Sequence, residues 1–147
     1  MKIILVGSGG REHALAWAIS DSPLCDELIV TPGNPGTQAY GRRADIAAED
    51  IEGLVHLAQT EQADIVVIGP EVPLVEGLAD RLEAVGIRAF GPSAAAARLE
   101  GSKRFARDFC KRHHIPQPQW DYFSTAEPAK EFAASLSGGA VVKADGL

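Results

Sequence analysis

The run IILV at residues 3–6 is apolar at every position and stops at a glycine, Gly7. IVVI at residues 65–68 does the same and stops at Gly69. A strand with one wet face alternates apolar and polar residues, so a strand apolar throughout must be covered on both faces. Such strands belong in a parallel sheet, whose neighbours need crossover connections, usually helices. The segments between the runs supply them. Lys2–Val6 reads as a strand and Glu12–Ser20 as a helix, with Leu15, Ala18 and Ile19 at helical spacing. Glu27–Thr31 is the next strand. Glu49–Gln62 is a helix with Ile51, Leu54, Val55 and Ala58 on one face, and residues 63–69 are a third strand. Pro73–Val85 is a helix whose face is Leu74, Val75, Leu78, Leu82 and Val85, and Ile87–Phe90 is a short strand that closes at Gly91-Pro92. The fold class is therefore α/β: a Rossmann-like parallel sheet with helices on both faces.

After Gly91 the character changes. SAAAARLEGSKRFARDFCKRHH (93–114) is alanine-rich, then basic and helical, and IPQPQW is a proline-marked break. Trp120–Phe123 reads as a strand, Glu127–Leu136 as a helix and Gly139–Ala144 as a strand. The unit from Gly101 to Leu147 is small to stand alone, since domains below about 40–60 residues bury too little surface. The reading expects the natural protein to continue beyond it. There is no internal repeat and no low-complexity tract.

The formal net charge of −6 offers no broad positive field to nucleic acid or an anionic membrane, though it leaves room for a local phosphate pocket. The apolar run near the N-terminus is too short for a signal peptide, and no stretch approaches the ~20 apolar residues of a membrane helix. Cys25 and Cys110 are far apart and in no metal-like spacing, which fits a reducing, cytoplasmic setting.

In such sheets ligands bind beyond the carboxyl ends of the strands. Three glycine-bearing loops would meet there: GSGGRE (7–12), PGNPG (32–36) and GPEVPL (69–74). Gly7, Gly9 and Gly10 let the backbone turn sharply and approach an anion, and the helix that follows presents unpaired N–H groups. The loop is not a full G-x-G-x-x-G, because Glu12 stands at the third position, where it would crowd or repel a pyrophosphate. The acidic ribose ligand expected after the second strand is also missing, since that strand ends Val30-Thr31-Pro32. A dinucleotide is thus poorly served, and a bare strand-to-helix turn is the bland alternative. Arg11 argues against the bland reading: beside a backbone anion nest it adds charge-assisted hydrogen bonds to a phosphate or carboxylate. Glu12 can take a sugar hydroxyl or an amine, or serve the helix N-terminus electrostatically. Asn34 and Gly36 bring an amide and backbone turns to the same edge, or form an ordinary loop. Glu71 is a helix-start acid or a ligand for ribose hydroxyls or an amine.

Taken together, VGSGGREHALAWAI, TPGNPG, IGPEVPLVEGLADRL, FGPSAAAARLEGSKRFARDF and VVKADGL resemble the glycinamide ribonucleotide synthetases, or phosphoribosylamine–glycine ligases. The resemblance runs the whole length in order. It implies a substrate-binding Rossmann-like domain at 1–100 followed by the start of an ATP-grasp domain at 101–147. It implies an ATP-dependent carbon–nitrogen ligase of purine biosynthesis: ATP phosphorylates the glycine carboxylate, the amine of 5-phosphoribosylamine attacks, and glycinamide ribonucleotide, ADP and phosphate result. Gly9, Gly10, Arg11, Glu12, Asn34, Gly36 and Glu71 would then bind phosphoribosylamine. Lys103 and Lys143 match lysines directed at ATP phosphates. Taken alone, Lys103 is part of a polar helix stripe with Arg107 and Lys111, and Lys143 lies at a sheet edge.

The implied cofactors are ATP and magnesium (or manganese) in the complete enzyme, with none held tightly by these residues. The implied partners are phosphoribosylamine, glycine and ATP, without nucleic acid or membrane, in a cytoplasmic monomer. The family's glycine-rich lid and metal carboxylates fall beyond Leu147, so no catalytic or metal-ligating residue is assigned and the chain alone is expected to be inactive. His13, His56, His113 and His114 form no H-E-x-x-H, and no G-x-S-x-G is present. The remaining rivals are another ATP-grasp carboxylate–amine ligase, a dinucleotide-binding module, and a non-catalytic Rossmann-like binding domain.

Overall fold

Five parallel strands form one sheet in the order β3-β2-β1-β4-β5. They are β1 (Lys2–Gly7), β2 (Glu27–Pro32), β3 (Arg42–Arg43), β4 (Ile65–Ile68) and β5 (Arg88–Phe90). The computed structural model describes residues 1–146. The chain divides into two compact units, Met1–Gly101 and Ser102–Leu147.

In the first unit the all-apolar strands do what their composition requires. Ile4, Val6, Ile29, Val66 and Ile68 face one side, under α2 (Ile51–Thr60), α4 (Leu78–Ala84) and α5 (Ala94–Gly101). Ile3, Leu5, Leu28 and Val30 face the other, with Ala16 and Leu15 of α1 (Gly10–Ser20). Leu5, Val6, Ile29, Val30, Leu78 and Leu82 are fully buried. Asp50 caps α2 by accepting from the Gly53 N–H at 2.9 Å.

The helix expected over Pro73–Val85 is two helices, α3 (Glu71–Val75) and α4. Gly77 separates them at φ +86°, a left-handed conformation that glycine adopts without a Cβ penalty. Pro73 falls in the first turn of α3, where a missing N–H costs nothing.

The strand order places the topological switch between β1 and β4, the crevice where ligands of open α/β sheets bind. The ladder runs on into the loops there: Gly69 N–H bonds Val6 O at 3.0 Å, and Gly33 N–H bonds Gly7 O at 3.1 Å. The opposite end of the sheet is closed by charge. Lys2 meets Glu27 at 3.2 Å and Glu61 at 3.4 Å, and Arg42 reaches the same two carboxylates at 3.2 and 2.8 Å.

In the second unit, α6 (Lys103–Arg112) and α7 (Ala126–Ser135) are the described helices. Aromatic rings pair among its half-buried side chains: Phe105 with Phe109 at 6.5 Å between ring centres, and Phe123 with Phe132 at 5.5 Å. The strands expected at Trp120–Phe123 and Gly139–Ala144 do not form among the described residues. Neither segment pairs with a neighbouring strand among the described residues, and a strand without one leaves its ladder groups to water. Val141 and Val142 accordingly stand 82% and 85% exposed.

Candidate functional site

The glycine loop after β1 is organised around a buried acid. Glu12 is 4% exposed. Its Oε2 accepts from the Gly9 N–H at 2.7 Å, closing the N-terminus of α1, and its Oε1 accepts from Arg11 Nε at 2.9 Å. The space it fills is made by glycines. A Cβ on Gly7 would lie 2.5 Å from Glu12 Cγ, one on Gly9 2.9 Å from Oε2, and one on Gly69 2.6 Å from Cγ. Gly7 also needs its φ of +130°, which few other residues adopt. The crowding expected of Glu12 against a ligand on the loop therefore does not arise, because the side chain points inward between the ends of β1 and β4.

Arg11 bridges the two loops of the crevice. Its Nε bonds Glu12 and its Nη1 donates to Glu71 Oε1 at 2.9 Å, sixty residues away in sequence. Glu71, foremost, and then Glu12 raise the Arg11 pKa further above its already high value. Arg11 in turn holds the Glu71 carboxyl below the usual carboxylate range. Arg11 is half-exposed, so this pair carries orientation more than stability.

Asn34 ties the β2 loop to the β1 loop. Its amide nitrogen donates to Ser8 O at 2.8 Å, and its Oδ1 accepts from the Gly36 N–H at 2.8 Å and the Thr37 N–H at 3.1 Å. Gly36 lies under the His13 ring, where a Cβ would be 2.6 Å from Cε1. Gly10 differs from these: a Cβ there would meet nothing within 4 Å. The first N–H groups of a helix have no intrahelical acceptor. With the Gly9 N–H taken by Glu12, those of Gly10 and Arg11 are left for a ligand or water on this open side.

Sequence reasoning missed His13, whose ring also packs on Tyr40 at 5.6 Å, and the buried Thr37. The Thr37 hydroxyl donates to Asn34 O at 2.8 Å and accepts from the Asn34 N–H at 3.0 Å. The Asn-x-x-Thr spacing, a reciprocal turn like a capping box, was the available signal. No spacing pointed to His13.

In the second unit Lys103 opens α6 and its Nζ bonds the Gly146 carbonyl. Ser102 caps the helix through the Phe105 N–H at 3.1 Å. Asp145 accepts from Ser102 Oγ and the Arg104 N–H, each at 3.2 Å. The Arg104 N–H foremost, with Ser102, holds the Asp145 carboxyl below its ordinary value. Lys143 is exposed, two residues before this clasp. Among the described residues no three His, Cys, Asp or Glu side chains gather to hold a metal, and no helix is long and apolar enough to cross a membrane.

A parallel sheet in this order, with its glycine loops and a bridged pair of acids at the switch point, defines a Rossmann-like α/β domain. Comparison with known proteins narrows the class. The profile for the phosphoribosylglycinamide synthetase N domain matches residues 1–100, and that for the ATP-grasp (A) domain of the same enzymes matches residues 101–147. The chain belongs to this family.

Phosphoribosylamine–glycine ligases of Agrobacterium fabrum and Caulobacter vibrioides are 52% and 53% identical over 147 residues, covering all of this chain and 35% and 34% of theirs. The crystal structure of the ligase from Thermotoga maritima superposes with a TM-score of 0.73 at 30% identity, over 100% of this chain and 34% of that one. An N5-carboxyaminoimidazole ribonucleotide synthetase from the same organism shares the fold at 20% identity, over 90% of this chain and 36% of that one, with a TM-score of 0.67. The chain spans about a third of the length of the curated relatives it matches.

Proposed function

We propose that residues 1–100 form the phosphoribosylamine-binding domain, and residues 101–147 the start of the ATP-grasp domain, of an ATP-dependent ligase joining glycine to 5-phosphoribosylamine. The products are glycinamide ribonucleotide, ADP and phosphate. The observation that carries the reading is the crevice bridged by Arg11 between the β1 and β4 loops. It offers a Glu71 carboxylate and the first N–H groups of α1 to one compact ligand. The end of β2 carries no acid to accept from a ribose diol, and the buried Thr31 hydroxyl bonds Ile46 O at 2.8 Å.

Each residue then has a task. Glu71 accepts from the hydroxyl or amine donors of phosphoribosylamine, while Arg11 fixes its orientation. The N–H groups of Gly10 and Arg11 bond an oxygen of the ligand approaching the open face of Gly10. Asn34, with Gly36 packed under His13, keeps the β2 loop closed against Ser8.

Lys103 and Lys143, on segments clasped together by Asp145, are cations suited to the phosphates of ATP. Bound ATP supplies the phosphoryl group that activates a carboxylate for attack by an amine. Among the described residues, magnesium or manganese is assigned no ligand. The free, half-buried Cys25 and Cys110 fit a reducing cytoplasm.

The test is a calorimetric titration of the chain with glycinamide ribonucleotide, used because phosphoribosylamine is short-lived, with NADH as comparator. Binding of the ribonucleotide, weakened by Glu71→Gln, supports the reading. Binding of NADH in its place overturns it.

A further inference from the structure

Glu12 has the chemistry of a ligand and the placement of a strut. Both of its oxygens are occupied, one by the Gly9 N–H at 2.7 Å and one by Arg11 Nε at 2.9 Å. It is 4% exposed and enclosed by Gly7, Gly9 and Gly69, so it has no free face to offer a ligand. A buried carboxylate is tolerated only when paired. Arg11 is what pairs it, and Arg11 is also what holds Glu71.

We propose that Glu12 is a positioning residue: it pins the Arg11 guanidinium in the crevice so that Arg11 presents Glu71 to the ligand and is itself withheld from anions. The consequence is a definite polarity. Two carboxylates and one guanidinium leave this part of the edge with a net negative charge, and the edge's other guanidinium, Arg43, is paired with Asp45 at 3.2 Å. Such an edge takes the donor-bearing end of a substrate, an amine or sugar hydroxyls, and turns its phosphate away from Arg11. This orientation rests on the phosphoribosylamine reading; the pinning of Arg11 does not.

Glu12→Gln tests the pinning. The amide oxygen keeps the Gly9 hydrogen bond, but the NH2 group now faces the Arg11 guanidinium, donor against donor. Removing a negative neighbour by itself would lower the Glu71 titration. Losing the fixed Arg11 raises it. A rise, followed by carbon NMR of the Glu71 carboxyl in the ligand-free chain, is therefore a signature of lost positioning. An unchanged or lowered Glu71 titration in a folded Glu12→Gln protein overturns the proposal.

Should the variant not fold, the parent protein decides. An Arg11 Nε–H protected from solvent exchange supports the proposal, and one exchanging as fast as a solvated arginine sinks it. The polarity has its own readout. Glu12→Gln should bind inorganic phosphate about threefold more tightly or better, a gain that structural damage does not produce. It should also bind glycinamide ribonucleotide more weakly. If Glu71 shifts as expected while the ribonucleotide binds neither protein, the pinning stands and the phosphoribosylamine reading falls.

Discussion

Replacing Gly69 by alanine adds one methyl group at the most crowded point of the crevice. An ideal Cβ there would lie 2.6 Å from Glu12 Cγ and 2.7 Å from Cδ, and it would overlap Oε1. The Gly69 backbone is not in the left-handed region, so the whole cost is contact. The carboxylate cannot step aside without leaving the Gly9 N–H and Arg11 Nε, which it bonds at 2.7 and 2.9 Å. Overpacking costs about 1–3 kcal/mol, and losing a hydrogen bond to a charged group about 1.5–3 kcal/mol. The sum, about 2.5–6 kcal/mol, is a large part of the ~5–15 kcal/mol that holds a domain together. For a unit of this size it lowers the melting temperature by about 10 °C or more. Gly10→Ala is the control: its Cβ meets nothing, and alanine at a helical position gains up to about 0.5–1 kcal/mol. Circular-dichroism melts and urea midpoints compare the two variants with the parent. A Gly69→Ala melting point within about 2 °C of the parent refutes the reasoning, because the carboxylate would then not be lodged between the strand ends.

Arg11→Ala removes the bridge that orients Glu71 and should weaken glycinamide ribonucleotide binding by about tenfold or more, about 1.4 kcal/mol; an unchanged calorimetric affinity counts against that role for Arg11. Acid should loosen the far end of the sheet. Lys2 and then Arg42 hold Glu27 below its ordinary value, and Arg42 and then Lys2 do the same for Glu61. Folded values below the unfolded one mean that the stability they contribute is complete above about pH 4.3 and fades as the pH falls through the folded values. Glu27→Gln should flatten that acid limb of a pH–stability curve, and an identical limb excludes the pair as its source. Asp145→Asn weakens the clasp on α6, so the Arg104 amide should exchange several-fold faster, measured by hydrogen exchange, with α7 unaffected.

The sheet was legible because its inner strands are apolar at every position. IILV and IVVI admit few other readings, and the loops that follow them mark the crevice without further information. β3 was not legible. It is two exposed arginines, Arg42 and Arg43, paired through the backbone to Ile29 and Val30, and no side-chain period announces such a strand. The break between α3 and α4 was masked because the apolar spacing of Leu74, Leu78 and Leu82 carries across it, while Gly77 sets the conformation. The strands expected near Trp120 and Val141 had the right residue types but depend on neighbours that local pattern does not supply.

At the crevice, residue types were readable and pairings were not. Arg11 and Glu71 are joined by strand order alone, since β4 returns to lie beside β1. The direction of Glu12 is a still longer-range fact. A dinucleotide loop keeps its third glycine in the helix so that helix and strand pack closely. In this chain the helix carries the large residue, and the strand ends, Gly7 and Gly69, carry the missing volume. Space is conserved by the exchange, but charge is not. A carboxylate now lies beneath the loop, so any cation that approaches to satisfy it is held at the mouth of the crevice. Arg11 is that cation, and once pinned it calls for a second acid, which Glu71 provides. On the proposed reading, a glutamate at this position, housed by glycines on two strand ends, turns an anion cradle toward a ligand that brings donors.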